Sequence, residues 1–474
     1  MGVPPMPGAP RFRSPENNAL RIITSPARAG RPCHKKPLKL LAPAAMNVVI
    51  VNETLAYPPT AGNRIRTLNL MLRMARRHSI TYISRGSADS RATKEGQEFL
   101  SDHGIRTVIT DHCPPAHKRI TTHARLAANL FTPRPYAVAS HDSPAVHAAV
   151  RAHAMCNRVD LWQFEWLPYV MTLRGRPDAR RILMAHNVES LIWQRYHENE
   201  PNPVRRWYIR QQWRKFERYE RKMFAAVDRV VTVSEEDAVL ARDRFGAPHV
   251  SVVDNGVDTG HFAQVTEPRQ PKLILFLGSL DWRPNLDALH LLLDRIFPSV
   301  LAREPAARLC IVGRNPAAWL TRRLRLRESK PDRRIELHAD VSDVRPYLAH
   351  SAVMVAPLRI GGGSRLKILE AMAAGLPVVS TRIGCEGLAV QADRELLMVD
   401  GIDDLPEALL RCMNAPGSAA CMAERARQLV RRRYDWDTLA DRLEEVWHQC
   451  VSRDPCRCVG PARCMNCAAV QSSK

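Results

Sequence analysis

The 474-residue chain lacks any uninterrupted apolar run approaching the roughly 18 residues that a spanning helix needs. The charged n-region and apolar h-region of a secretory signal are also missing, so a reducing cytosol is the expected compartment. No short-period repeat occurs, which excludes solenoids and propellers. Acidic residues are in deficit: 48 Asp/Glu stand against 70 Lys/Arg, for a net charge of +22. That balance favours phosphate-bearing partners without choosing among nucleic acid, anionic lipid and nucleotide. The excess is mainly Arg spread along the chain, which a GC-rich genome also produces. No recognised nucleic-acid motif is present, so nucleic acid is not an expected partner.

Regular cysteine spacing is missing too, although the chain has 12 cysteines. Cys33, Cys113, Cys156, Cys385, Cys412 and Cys421 are irregularly placed, and Cys310 lies in an apolar run where a buried thiol is ordinary. The tail differs: Cys456-x-Cys458 and Cys464-x-x-Cys467 could close a tetrahedral zinc site. One residue separates the first pair, where zinc knuckles use two or more, so an oxidisable, disordered tail over 453–474 is expected instead.

Residues 1–45 hold eight Lys/Arg against one Glu and are rich in Pro and Ala without hydrophobic period. They read as a disordered basic extension. Met46, which opens a clean strand, is expected to be the biological start, or 1–45 to be dispensable. From there apolar strands near 46–51, 80–84, 106–109, 159–164, 182–185, 229–233 and 250–253 alternate with helical patterns such as 64–77 and 203–226. A polar segment follows, and then a second series: 272–277, 308–312, 335–338, 353–358, 377–381 and 396–399. The alternation predicts an α/β protein with two Rossmann-like, doubly wound parallel-sheet domains, 46–258 and 271–435. A last helix, 436–452, carries Trp436, Leu439, Leu443, Val446 and Trp447 at helical spacing.

The most informative stretch is 353–381. An apolar strand runs into Gly361, Gly362 and Gly363, and a helix and a second strand follow. A glycine turn at a strand's carboxyl end is where open α/β sheets bind ligands. Bare backbone, a helix N-terminus and the charges of Arg365 and Lys367 predict a phosphate guest. At about 100° per residue, Leu366, Ile368, Leu369, Met372 and Ala373 share one face. Ser364, Lys367, Glu370 and Ala371 share the other, where the Glu370 carboxylate can accept from sugar hydroxyls. His186 and Asn187 follow the apolar strand 182–185, and Glu165 follows another, so all three sit at strand carboxyl ends. His186 suits proton relay or charge balance. Glu165 and Asn187 are candidates for acceptor hydroxyls.

These residues resemble the nucleotide-sugar site of family-four retaining glycosyltransferases with the GT-B fold. The same resemblance covers Tyr57 to Thr67, His-Asn-Val-Glu at 186–189, Val-Thr-Val-Ser-Glu at 231–235, Asp-Asn-Gly-Val-Asp at 254–258 and Phe-Leu-Gly-Ser-Leu-Asp-Trp-Arg-Pro-Asn at 276–285. It runs from about 46 to 450 and is closest to a subgroup associated with exopolysaccharide and protein-sorting gene clusters. It implies two domains facing a central cleft, acceptor side first and donor side second, with 436–452 crossing back to the first. It implies retention of anomeric configuration, a nucleotide-sugar donor and a saccharide or lipid-linked acceptor. It places Gly62, Arg64, Gly278, Gly313, Gly361, Gly362, Gly363, Ser364, Arg365 and Glu370 at the donor, with His186, Arg283 and Lys367 in catalytic roles. Two departures stand out. Asn63 replaces a second glycine after the first strand, and Gly362 falls where the first of two paired glutamates is usual. No Asp-x-Asp pair lies near the site, so neither metal nor other cofactor is expected.

Residues 203–226 predict a long basic helix with Ile209, Trp213, Phe216 and Met223 on one stripe. Such a helix suits an anionic bilayer surface and a peripheral place at the inner membrane face. Two other functions fit the same pattern: a nucleotide-sugar epimerase of this fold, and a non-catalytic basic protein binding polyanions.

Overall fold

All thirteen apolar runs are strands, because a strand covered on both faces reads as a nearly continuous apolar stretch. The computed structural model describes residues 45–111, 125–176, 178–264, 268–328, 334–360 and 365–452. The segment from Ala45 onward is one compact unit. Strands β1 (Asn47–Thr54), β2 (Ser79–Arg85), β3 (Arg106–Thr110), β4 (Leu161–Phe164), β5 (Arg181–Ala185), β6 (Arg229–Thr232) and β7 (Val250–Val252) form a parallel sheet in the order β3-β2-β1-β4-β5-β6-β7. Strands β8 (Leu273–Leu277), β9 (Arg308–Gly313), β10 (Ile335–Ala339), β11 (Val353–Ala356), β12 (Val378–Thr381) and β13 (Leu397–Val399) form a second, in the order β10-β9-β8-β11-β12-β13. Both orders reverse beside the first strand of the half, at β1/β4 and at β8/β11. Those are the crevices where doubly wound sheets take ligands.

Six helices bear on the cleft: α1 (Gly62–Met74), α2 (Glu189–Glu198), α3 (Pro203–Phe224), α4 (Arg283–Leu291), α5 (Leu366–Ala373) and α6 (Trp436–Val451). The strand period of two sorts β1 into opposite cores. Val48 and Ile50 pack with α1 and α6, whereas Val49 and Val51 pack with Phe164, Leu183 and the end of α3. In β8 the same alternation sends Ile274 and Phe276 towards Ala288 and Leu289 of α4, and Leu273, Leu275 and Leu277 towards Ile368, Leu369 and Met372 of α5.

Helix α6 fastens the end of the described chain to the first half. Trp436, Leu439, Leu443 and Trp447 are buried against α1 residues Leu68, Met71 and Met74. Each such side chain is worth about 1.5–3 kcal/mol of apolar transfer. Asp254 accepts from Arg442 at 3.0 Å, and Arg73 pairs with Asp437 at 2.5 Å.

Two expectations about helix faces change. On α5, Ala371 is buried with Ile368 and Met372, because the second sheet covers a wider arc than the periodicity suggests. The ligand face narrows to Lys367 and Glu370. On α3, Ile209, Phe216 and Met223 are buried inside the protein, Ile209 against Ile192, Tyr196 and Ile360. That stripe is core and does not meet a bilayer.

Candidate functional site

A cleft of about 870 Å³ lies between the carboxyl ends of the two sheets, open to both switch points. The first half contributes the end of β1, the loop into α1, and the turns after β4 and β5. The second contributes the turns after β8 and β9, the segment after β11, and the exposed side of α5.

On the first wall the sequence builds a hydrogen-bonded chain behind His186. Its Nε2 lies 2.8 Å from Glu165 Oε2, which also accepts from Thr67 Oγ1 on α1 at 2.8 Å. Glu165 Oε1 accepts from Gln163 Nε2 at 2.6 Å, and Gln163 Oε1 accepts from Trp447 Nε1 of α6 at 2.8 Å. Burial acts to raise the Glu165 carboxyl, but the hydrogen bond and charge of His186, with Arg66 and Gln163, hold it below the ordinary value. An ionised acceptor at Nε2 keeps the imidazole proton there and leaves Nδ1 as the lone-pair nitrogen of the neutral ring. Glu165 therefore differs from the expectation of acceptor contact. Its side chain is 1% exposed and committed to orienting His186. Arg66, one turn into α1, is also internal. It donates to the Val253 carbonyl at 2.6 Å, and burial brings its guanidinium down to about 10.

Beside this chain, Asn187 lines the cleft and donates to Glu189 Oε1 at 3.2 Å. The first N–H groups of α2, from Glu189 and Ser190, are capped by Glu220 at 2.6 and 3.2 Å. Burial, with Glu189 adding to it, pushes the Glu220 carboxyl up to about 8.

On the second wall, Lys367 and Glu370 stand one turn apart on α5 and both face the cleft. Lys367 Nζ donates to Asn285 Oδ1 at 2.9 Å and lies 5.3 Å from the Phe276 ring centre. Burial, helped by Arg365, brings its ammonium down to about 7. Burial raises Glu370 to about 7, against the pull of Lys367 and Arg314. The pair is poised for a guest that supplies negative charge to one and hydroxyl donors to the other. Arg365 reaches the cleft wall but is a buried strut. Its Nη2 donates to the Ile383 carbonyl at 2.8 Å and lies 3.5 Å from Glu386, which takes Arg195 of α2 in a bidentate pair at 2.7 Å.

Gly62, Glu165, His186, Asn187, Gly278, Gly313, Arg365, Lys367 and Glu370 all line the cleft. Two expected residues do not. Arg283 turns from the wall to pair with Glu200 at 2.8 Å and to cover the Tyr196 ring at 4.4 Å. Arg64 lies along α1, with Nη1 3.4 Å from Thr60 Oγ1. Gly361, Gly362, Gly363 and Ser364 lie outside the described residues. Gly278 and Gly313 are glycines for a reason inside the protein. A Cβ on Gly278 would sit 2.8 Å from Asn285 Nδ2, and one on Gly313 would fall on the Gly278 carbonyl.

Sequence reasoning missed Asn285, Glu53 and His141. Asn285 was visible as the last residue of the 276–285 motif. Glu53 and His141 line the first wall near the end of β1 with no glycine or motif to announce them. Burial raises the Glu53 carboxyl, opposed by His141, Arg85 and Arg64. Among the described residues, the side chains grouped closely enough to hold a cation are His78, Glu444 and His448, on the α1/α6 seam. There the Met46 N–H donates to His78 Nδ1 at 3.2 Å, which leaves Nε2–H to donate to Glu444 at 3.1 Å.

Comparison with known proteins agrees with this geometry. Residues 61–261 match the family described as Glycosyltransferase Family 4, and 271–415 match Glycosyl transferases group 1. The chain is 28% identical over 270 residues to D-inositol 3-phosphate glycosyltransferase of Salinispora tropica, covering 52% of this chain and 56% of that one. It is 28% identical over 245 residues to the GDP-mannose-dependent alpha-(1-6)-phosphatidylinositol monomannoside mannosyltransferase of Mycobacterium tuberculosis, covering 48% and 63%. The match thus spans between half and two thirds of the length of these curated relatives. Anabaena HepE in complex with UDP superposes with a TM-score of 0.60 at 13% identity, over 85% of this chain and 100% of that one. The two parallel-sheet halves and these structural neighbours identify the fold as GT-B.

Proposed function

We propose that this member of glycosyltransferase family four moves a hexose from a nucleotide-sugar donor to a saccharide or lipid-linked acceptor, with retention of configuration. The observation that carries the proposal is the meeting of Lys367, Glu370 and His186 in one cleft between two switch points. Departure of a nucleoside diphosphate develops negative charge on the β-phosphate. A buried ammonium in low dielectric stabilises such charge far better than a solvated one. Lys367 takes that role, with Glu370 accepting from the ribose hydroxyls. The acceptor lies along the opposite wall, near Glu53, His141 and His186, where Asn187 offers a further polar contact. No step requires a metal ion, and none of these residues is assigned to one.

Nucleotide-sugar donors and lipid-linked acceptors suit the chemistry in the relatives' names, which include GDP-mannose, inositol 3-phosphate and phosphatidylinositol monomannoside. An association in polysaccharide or glycoconjugate synthesis fits that class of acceptor. No helix among the described residues is long and apolar enough to cross a membrane. The protein instead rests at the anionic inner face through the start of α3. There Val204 and Trp207 are 74% and 51% exposed among Arg205, Arg206 and Arg210.

A thermal-shift screen against nucleotide sugars tests the donor assignment, since a ligand that binds only the native state raises Tm by mass action. At least one nucleotide sugar should raise Tm, and its sugar should appear on an added acceptor. Epimerised or merely bound sugar, unchanged by any acceptor, would favour the epimerase or binding-protein reading.

A further inference from the structure

We infer that Asn285 is the positioning residue for Lys367, fixing where its ammonium sits in the cleft and keeping it charged. The inference rests on the reading of this cleft as a donor site. Its geometry, however, is independent of any substrate. Asn285 lies in the first turn of α4 and is buried. Its Nδ2 donates to the Ser279 carbonyl at 2.8 Å, and its Oδ1 accepts from Lys367 Nζ at 2.9 Å. The first bond decides the second. A carbonyl oxygen needs a donor, so the NH₂ end must face Ser279 and only the oxygen is left for Lys367. The side chain has nowhere else to go, because it fills the space that a Cβ on Gly278 would occupy. One amide thus ties the turn after β8 to α5, across the floor of the cleft.

The rest of the surroundings act on the ammonium in both directions. Burial and the Arg365 guanidinium disfavour its charge, while Glu370, one turn along α5, favours it. Glu370 in turn feels Arg314 from the turn after β9. From the other elements come the neutral Asn285 amide and the face of Phe276. The amide oxygen is therefore the acceptor to which Nζ donates, and a hydrogen bond to a charged group is stronger than a neutral one.

The test is the titration of the Lys367 amine itself. It is read by trace labelling with an amine-reactive reagent across pH and quantified by mass spectrometry, in the wild type, Asn285→Leu and Asn285→Asp. The wild-type midpoint should lie near 7. It should fall by about one pH unit or more in Asn285→Leu and rise by about as much in Asn285→Asp. A midpoint that does not move in a folded variant overturns the inference. If Asn285→Leu does not fold, the nearly isosteric Asp variant decides alone. The alkaline limb of kcat/KM for the donor should shift the same way, whereas a merely structural role would lower the rate and leave the limb in place. Absence of donor turnover in the wild type would sink the functional reading and leave the labelling result standing.

Discussion

At the scale of single residues, Glu165→Gln separates orientation from packing. The substitution keeps the volume and the bond from Thr67 but removes the charge that faces His186 Nε2. The expected result is a fall in kcat of about 10²-fold, typical of disturbing a positioned acid or base, with Tm little changed. ¹⁵N shifts of the His186 ring should report a changed tautomer balance; an unaltered ring and full activity would remove His186 from the mechanism. Lys367→Ala and Glu370→Ala should each lower transfer about 10²-fold or more while the protein stays folded. Wild-type rates in both would overturn the donor assignment. Lys367 and Glu370 were legible in sequence because a helix next to a glycine turn fixes which positions face outward. Arg283, Arg66 and Glu165 were not. Long or charged side chains go where partners distant in sequence await them, here Glu200, the Val253 carbonyl and His186.

At the scale of elements, α5 and α6 carry opposite burdens. Helix α5 holds two buried ionisable groups that the free protein leaves poorly matched. The Glu370 carboxyl, near 7 when folded, exceeds its unfolded value of about 4.3, so the native state holds the proton longer. Its contribution to stability is present below that unfolded value and is lost as pH rises towards 7. The Lys367 ammonium, near 7 when folded, lies below its unfolded value of about 10.4. Its cost is full below 7 and disappears as pH rises towards 10. Against Glu370→Gln, the wild type should lose stability between about pH 4 and 7; against Lys367→Met, it should regain stability between about 7 and 10. Denaturant titrations at stepped pH measure both, and flat difference curves would contradict the assigned environments.

Helix α6 contributes packing and also reaches the site through Trp447, Gln163 and Glu165. Trp447→Ala should cost about 3–5 kcal/mol from lost burial, measured by chemical denaturation. At temperatures where the variant is still folded, kcat should also fall, because Gln163 loses its fixed orientation. A large stability loss with unchanged kcat would disconnect α6 from His186. The strands and helices themselves could be read in advance, since parallel strands announce themselves as apolar runs. The inner stripe of α3 could not be told from a membrane face, because periodicity gives an apolar side without saying what covers it.

At the scale of the whole molecule, two halves meet over one cleft and are cross-linked by specific pairs. Arg195 of α2 holds Glu386, which lies within reach of Arg365 beside α5, so the seam between halves touches the donor wall directly. The net charge and the exposed start of α3 together predict binding to vesicles rich in anionic lipid. Flotation should recover the protein with such vesicles at low salt, lose it at high salt, and lose it with Trp207→Ser. No flotation at low salt would remove the membrane from the account. The two-domain architecture was legible because the strand-helix alternation restarts after a polar segment. The pairing of Arg195 with Glu386 was not, since no local pattern links residues so far apart in sequence.

The most direct test is a crystal structure of the full chain with a nucleoside diphosphate. The account predicts the pyrophosphate within hydrogen-bonding distance of Lys367 Nζ and the ribose hydroxyls against Glu370. A nucleotide seated elsewhere, with Lys367 still bound to Asn285 and facing empty solvent, would contradict it.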